Sequence, residues 1–273
     1  MQLQDAKTRF ETQGIKFAAI SYDAPPILSE FAQWHNIEYP LLADADSQII
    51  RSFNVFNSQA TGKEKGMAHA GFVYIDSRGI VREEYFDPKE TDRLTPNNVI
   101  GKLFPELSEE VTRNVEAPNL LLTLEQSDRT AVPGNQLTLT AEIELPPDVH
   151  VYAPGVEGYK PIQLTMQPQS GIEFAPVSHP ASKILYLEAI QQHVPVSEGR
   201  FRIRQDATIT HSTASDIVRS LVSSAKTVEI KGELKYQACD HRVCYPPASV
   251  PVTWSVKVLP LDLKRSPDDI RHK

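Results

Sequence analysis

The sequence predicts an α/β domain followed by an all-β sandwich, and three observations lead there. In residues 1–105, stretches with apolar residues at helical spacing alternate with short apolar runs. From Asn119 onward the pattern changes to period-two alternation broken by Pro and Gly. The length of 273 residues exceeds the usual size of one domain, so two hydrophobic cores are the default expectation.

In order, Leu3, Ala6 and Phe10 mark a helix that stops at Gly14. Residues 16–21 read as a short buried strand. Pro25 suits the first turn of a helix whose apolar face is Ile27, Leu28, Phe31 and Trp34 and whose end lies near Asn36. Leu41 and Leu42 make a brief strand, and Asp46 is placed to cap a helix carrying Ile49, Ile50 and Phe53. A hairpin runs from Gly71 to Asp76, turns at residues 77–79 and returns over residues 80–86. A helix over residues 97–104 closes the domain.

Residues 106–118, acidic and polar, read as a linker to a second domain at 119–260. Strands are expected there at 120–124, 136–143, 149–152, 163–166, 201–204, 228–230 and 252–258, the regular spacing of a sandwich. Residues 211–226 read as a surface insertion with a short helix over 217–221, and residues 261–273 as a frayed polar tail.

Composition excludes several classes. Apolar residues at 40% and charged residues at 23% match soluble globular chains rather than disordered ones. No apolar run approaches the ~18 residues of a spanning helix, so direct membrane insertion is not expected. The net charge of −7, without a Lys/Arg stripe interleaved with aromatics, argues against nucleic acid. The first residues, MQLQDAKTRFETQG, hold no basic region, apolar core or cleavage site, so nothing in them directs export.

Chemistry concentrates at residues 236–247, YQACDHRVCYPP. Cys239 and Cys244 are the only two cysteines, and four residues separate them. A disulfide closing so short a loop contributes only about 2 kcal/mol in the chain-entropy model, little for the fold. His241 and Arg242 lie inside the loop, where positive charge lowers a thiol pKa and raises its thiolate fraction, while Asp240 opposes them. The sequence favours a redox-active pair with no bound cofactor, but leaves open which cysteine is attacked first. Three other readings stand beside it. The disulfide is a structural staple. Alternatively, Cys239, His241 and Cys244 are metal ligands, against which zinc wants a fourth ligand and no second Cys/His cluster exists, so no metal is expected. Or a cysteine nucleophile is approached in space by His150, His179, His193 or His211.

The stretch ISYDAPPILSEFAQWHNIEYPLLADADSQIIRSFNVF, followed by GFVYIDSRGIVREEYF, resembles the AhpC/TSA group of peroxiredoxin-like proteins. The resemblance covers roughly residues 5–105 and implies an incomplete thioredoxin-like α/β domain. That family's first strand and reactive cysteine would lie upstream of Met1, and no cysteine precedes position 239, so peroxide reduction is not expected of this chain. Where thioredoxin-like proteins carry a cis-proline, residues 68–70 are Ala68, His69 and Ala70; a trans peptide and an altered groove are expected. Without its first strand the domain should be the less stable of the two and unfold separately.

The segment GELKYQACDHRVCYPP, with VTWSV after it and HVYAPGVEGYKPIQL and VPVSEGRFRI before it, resembles the amino-terminal domain of the thiol:disulfide interchange protein DsbD over residues 118–260. The resemblance implies an immunoglobulin-like sandwich outside the cytoplasmic membrane, in the periplasm. Its cysteine pair would take electrons from a thioredoxin-like or membrane-embedded thiol reductase and pass them to client disulfide proteins. Carried over, Cys239 and Cys244 are the exchanging pair, Tyr236, Gln237 and Tyr245 flank it, and Pro246 with Pro247 stiffens the loop. The family's cap loop corresponds to residues 178–187, which lack its acidic pair; Tyr186 is the candidate shield. The fusion suggests a relay, but residues 1–238 hold no second redox centre, so either the natural chain is longer, with an export signal, a first strand and an active cysteine upstream, or the first domain has become a docking scaffold; a start partway into a domain favours the longer chain. Two rivals remain: a peroxiredoxin-type antioxidant enzyme whose cysteine lies upstream, and a non-enzymatic adaptor with an inert disulfide.

Overall fold

The structure, a computed structural model, describes residues 2–12, 14–86, 93–104, 112–187, 191–211, 225–260 and 267. The chain divides into two compact units, residues 1–99 with 262–273, and residues 100–261.

The first unit is α/β. Its elements are α1 (Gln2–Thr12), β1 (Ala19–Ser21), α2 (Pro25–His35), β2 (Leu41–Ala43), α3 (Gln48–Ser52), β3 (Gly71–Ile75), β4 (Val81–Phe86) and β5 (Arg93–Leu94), with α4 (Pro96–Leu103) crossing the division. Strands β1 and β2 pair in parallel, Ala19 opposite Leu41, as the crossover through α2 allows. Helix α2 starts with Pro25 in its first turn and ends where Asn36 turns left-handed at φ 52°, its N–H bonding back to the last turn. Strands β3 and β4 form the expected hairpin. Its turn needs Gly79 at φ 77°, and Asp76 Oδ1 accepts the amides of Arg78 and Ile80. The two strand pairs are separate two-stranded sheets. The cap of α3 differs from the sequence reading. Asp44, not Asp46, reaches the helix start, accepting from the amides of Ile49 at 3.1 Å and Ile50 at 2.8 Å. Ser47 is left-handed there, at φ 57°, and Asp46 accepts from the Gln48 backbone amide at a long 3.4 Å and from the Gln48 side chain at 2.7 Å.

The second unit is the immunoglobulin-like β-sandwich. Its strands are β6 (Arg113–Val115), β7 (Leu121–Gln126), β8 (Thr130–Ala131), β9 (Asn135–Glu144), β10 (His150–Tyr152), β11 (Gln163–Met166), β12 (Ile172–Phe174), β13 (Lys183–Leu187), β14 (Gln192–Glu198), β15 (Arg200–Ile209), β16 (Lys226–Tyr236), β17 (Ala238–Cys239) and β18 (Ala248–Val258). One sheet runs β12-β15-β9-β7-β6, a second β11-β16-β18-β8, and a third β13-β14-β10-β17. The inward residues dictated by period two fill one continuous core, including Leu124, Leu137, Leu139, Ile143, Ile203, Ile230, Leu234 and Val252. Trp254 belongs to it and donates its indole N–H to the Glu125 carbonyl at 2.9 Å, so no polar atom of the ring is stranded.

The linker boundary needs correction. Residues 113–115, assigned to the linker, are β6, paired antiparallel with β7 so that Val115 faces Leu122. Their alternation is too short to register as a strand without the partner that completes it. The sandwich also has strands beyond the seven placed in the sequence, as an expectation of seven or more allows: β13 and β14, and the two- or three-residue β8, β12 and β17. The helix expected over 217–221 and most of the tail lie outside the described residues. Among the described residues no helix is long and apolar enough to cross a membrane.

Candidate functional site

The third sheet carries the cysteine pair, and its pleat separates two environments. On β10 and β17, Val151 and Ala238 are opposite one another and face the main core. The alternate residues, His150 and Cys239, are also cross-strand partners and point to the other face. That face has its own small cluster, in which Cys239, Tyr152, Val194 and Val196 are buried and Val156, Tyr159, Leu185 and Leu187 pack against them.

Cys239 and Cys244 form a disulfide. Cys239 is 1% exposed, whereas Cys244 is exposed to solvent. The loop between them is tied by backbone bonds from Tyr245 to the Ala238 carbonyl at 2.8 Å and from Asp240 to the Val243 carbonyl at 2.9 Å. Asp240 organises the interior. Its carboxylate accepts the amides of Arg242 at 2.7 Å and Val243 at 2.8 Å and the Tyr245 hydroxyl at 2.8 Å. Those backbone bonds first, and the phenol after them, hold its carboxyl below the usual aspartate range. Gln237 donates to the Tyr245 carbonyl at 3.0 Å.

Not every residue singled out in the sequence reaches the sulfurs. His241 is exposed and faces Asp148, 3.5 Å away, and Arg242 is exposed. Tyr236 lies in the main core, donating to the Pro118 carbonyl at 2.6 Å, with burial pushing its phenol up to about 12. Pro246 is exposed at the exit of the loop, just before β18. Tyr186, the candidate shield, lies on β13 at the edge of the sheet opposite β17 and packs on His193. Its neighbours Leu185 and Leu187 join the cysteine cluster, and alternation along the strand sends Tyr186 to the other side.

The aromatic that does touch the pair is Tyr152. Its Oη lies 3.6 Å from Cys244 Sγ and 3.7 Å from Cys239 Sγ. A disulfide sulfur carries no proton, so the hydroxyl is the donor. Tyr159 stacks on Tyr152 with ring centroids 4.5 Å apart and anchors its own hydroxyl on Gln192 at 3.1 Å. Sequence reading missed both tyrosines as site residues, although each sits at a legible place: Tyr152 is two residues from His150 on one strand face.

Of the four histidines considered as cysteine partners, only His150 is placed by strand register beside Cys239. His179 is half-buried with burial lowering its pKa, and His193 contacts Tyr186. In the first unit, the peptide bonds around Ala68, His69 and Ala70 are trans. His69 lines an open groove of about 780 Å³ with Ser52, Val55, Glu84 and Phe86. Among the described residues, no group of three or more His, Cys, Asp or Glu side chains converges in a way that could hold a metal ion.

Comparison with known proteins fits this division. Residues 1–84 match the AhpC/TSA family model, and residues 119–253 match the model described as thiol:disulfide interchange protein DsbD, N-terminal. No curated protein matches the chain. Among solved structures, the N-terminal periplasmic domain of ScsB from Proteus mirabilis aligns at 14% identity with a TM-score of 0.35, over 51% of this chain and 49% of that one. The chain thus spans about half the length of that relative. The reduced N-terminal domain of Neisseria meningitidis DsbD aligns at 13% identity with a TM-score of 0.31, over 58% of this chain and 94% of that one. Residues 119–253 are thus similar to the DsbD amino-terminal family, and residues 1–84 of the same polypeptide to the AhpC/TSA family.

Proposed function

We propose that the sandwich exchanges disulfides with partner oxidoreductases through Cys239 and Cys244, and that Cys244 is the sulfur a partner attacks. The observation that carries this is the unequal exposure of the two cysteines, one open to solvent and one buried under Tyr152. A partner thiolate attacks Cys244 Sγ in line with the disulfide. A new S–S bond forms to the partner, the Cys239–Cys244 bond breaks, and its electron pair stays on Cys239 as a thiolate. Tyr152 Oη, within reach of both sulfurs, donates to the charge that develops on Cys239. A second partner thiolate resolves the mixed disulfide at the partner sulfur, leaving both cysteines reduced. Run backwards from the reduced state, Cys244 attacks the disulfide of a client.

The donor in this reading is a thioredoxin-like or membrane-embedded thiol reductase, and the acceptors are client disulfide proteins. The family match over residues 119–253 supports that assignment and an extracytoplasmic, periplasmic location. A lone disulfide in the chain is also in keeping with an oxidising compartment. Gln237, Asp240 and Tyr245 hold the loop, and exposed Val243 offers partners an apolar contact beside Cys244. Tyr159 over Tyr152 takes the shielding role, in place of Tyr186.

Single-cysteine variants test the reading. Cys239→Ser should form a mixed disulfide with an aromatic disulfide reagent about tenfold or more faster than Cys244→Ser, because only the first leaves an accessible thiol. Equal rates, or a faster Cys244→Ser variant, would overturn the assignment.

A further inference from the structure

The exchange steps leave His150 without a role. It is 1% exposed, and its Nε2 is buried without a hydrogen-bond partner. A buried polar atom left unsatisfied costs stability, and a second state of the protein that uses the atom accounts for keeping it. Strand register shows which state that is. In β10, His150 pairs with Cys239 of β17 on one side and with Glu198 of β14 on the other, so all three side chains share a sheet face. Tyr152 stands on the same face, its ring edge-on to the imidazole with centroids 5.7 Å apart.

Resting on the exchange reading above, we infer that His150 is the proton-holding partner of the Cys239 thiolate, a positioning residue that sets the pH dependence of the pair. In the oxidised protein there is no anion beside it. Burial holds the imidazole below the usual histidine range; Glu198 and Asp240 pull the other way, and His241 adds to the lowering. The ring is then neutral at pH 7. When Cys244 is attacked, the leaving electron pair arrives on Cys239, the cross-strand partner of His150 on the same sheet face. One proton from solvent is taken up with that electron pair. It resides on His150, giving an imidazolium beside a thiolate, and passes to Cys239 Sγ when the pair rests as thiol and neutral imidazole. Charge is conserved at each step, and no oxidant or reductant beyond the partner thiol is needed. Tyr152 bridges the two sulfurs, and His150 compensates the charge on the buried one.

The test uses the full chain in both redox states. Imidazole NMR of the wild-type protein should show the His150 midpoint rising by about one pH unit or more on reduction, since a neighbouring opposite charge favours the protonated ring. Thiolate absorbance of the reduced protein should show a cysteine midpoint that rises by about one unit in His150→Phe, a tenfold loss of thiolate at a given pH below both midpoints. His150→Gln, which keeps a polar side chain that does not titrate, should behave like His150→Phe. An unchanged cysteine midpoint in both variants, with a wild-type His150 midpoint blind to redox state, would overturn the inference. If partner thiols failed to reduce the disulfide at all, it is the exchange reading that would fall. Normal reduction with unaltered titrations would leave that reading standing and remove only His150.

Discussion

Tyr245 and Asp240 close the loop between the cysteines, the phenol donating to the carboxylate across 2.8 Å. The same carboxylate accepts two amides of the loop, and its pKa lies below the usual aspartate range. A depressed folded-state pKa contributes order that is fully present above the unfolded value of about 3.9 and is lost as pH falls through the folded value. The loop should therefore loosen only in strong acid. With a phosphine reductant that works in acid, disulfide reduction should accelerate below about pH 4 in the wild type. Asp240→Ala should already be fast at neutral pH, with that acid step absent.

Tyr152→Phe keeps the ring over Tyr159 and removes only the hydroxyl that reaches both sulfurs. Exchange with a small thiol should slow about fivefold, the worth of one hydrogen bond of about 1 kcal/mol. Thermal stability should hardly move. An unchanged rate in stopped-flow measurements would assign the tyrosine to packing alone.

Glu142, itself buried in the sandwich, joins two arginines, accepting from Arg200 Nε at 2.9 Å and from Arg202 Nε at 2.7 Å. Burial by itself pushes its carboxyl up, but the hydrogen bonds from Arg200 and Arg202 outweigh it and the pKa is lowered. The stabilisation is thus complete above the ordinary glutamate value of about 4.3 and disappears as pH falls through the folded value. Glu142→Gln should cost about 1–2 kcal/mol at pH 7, discounted because Arg200 is largely exposed. The loss should shrink toward acid pH in urea melts.

Much of this architecture is legible in the sequence because it rests on periodicity. The 11-residue β16 and β18 alternate buried and exposed residues almost without fault, and Pro25 and Asn36 mark the ends of α2. What was not legible depends on contacts that alternation along one segment does not reveal. β6 is a strand only because β7 lies beside it, and Asp44 rather than Asp46 caps α3 because Ser47 turns left-handed. At the site, residues 239–245 named the chemistry, yet the groups nearest the sulfurs come from β10, almost ninety positions earlier. Only strand pairing could show that His150 and Tyr152 share a face with Cys239. The same pairing sends Tyr186 away, since one step along β13 separates the face of Leu185 from its own.

The two units differ in how much apolar surface they bury. Among the described residues, the first has a core of Ala6, Phe10, Leu28, Ile50 and Val99, and leaves Ile20, Leu42 and Ile49 exposed. The sandwich has one continuous core through three sheets. Calorimetry should resolve two transitions, with the first unit melting at least about 5 °C below the sandwich, the shift expected for roughly 1 kcal/mol. A single transition would contradict this.

The central claim is that Cys239–Cys244 turns over rather than staples, and the reduction potential tests it most directly. Equilibration with defined thiol/disulfide buffers, followed by a count of free thiols, should give a value between about −270 and −120 mV, the range of exchange proteins. A value below about −300 mV would mark a structural bridge and contradict the account.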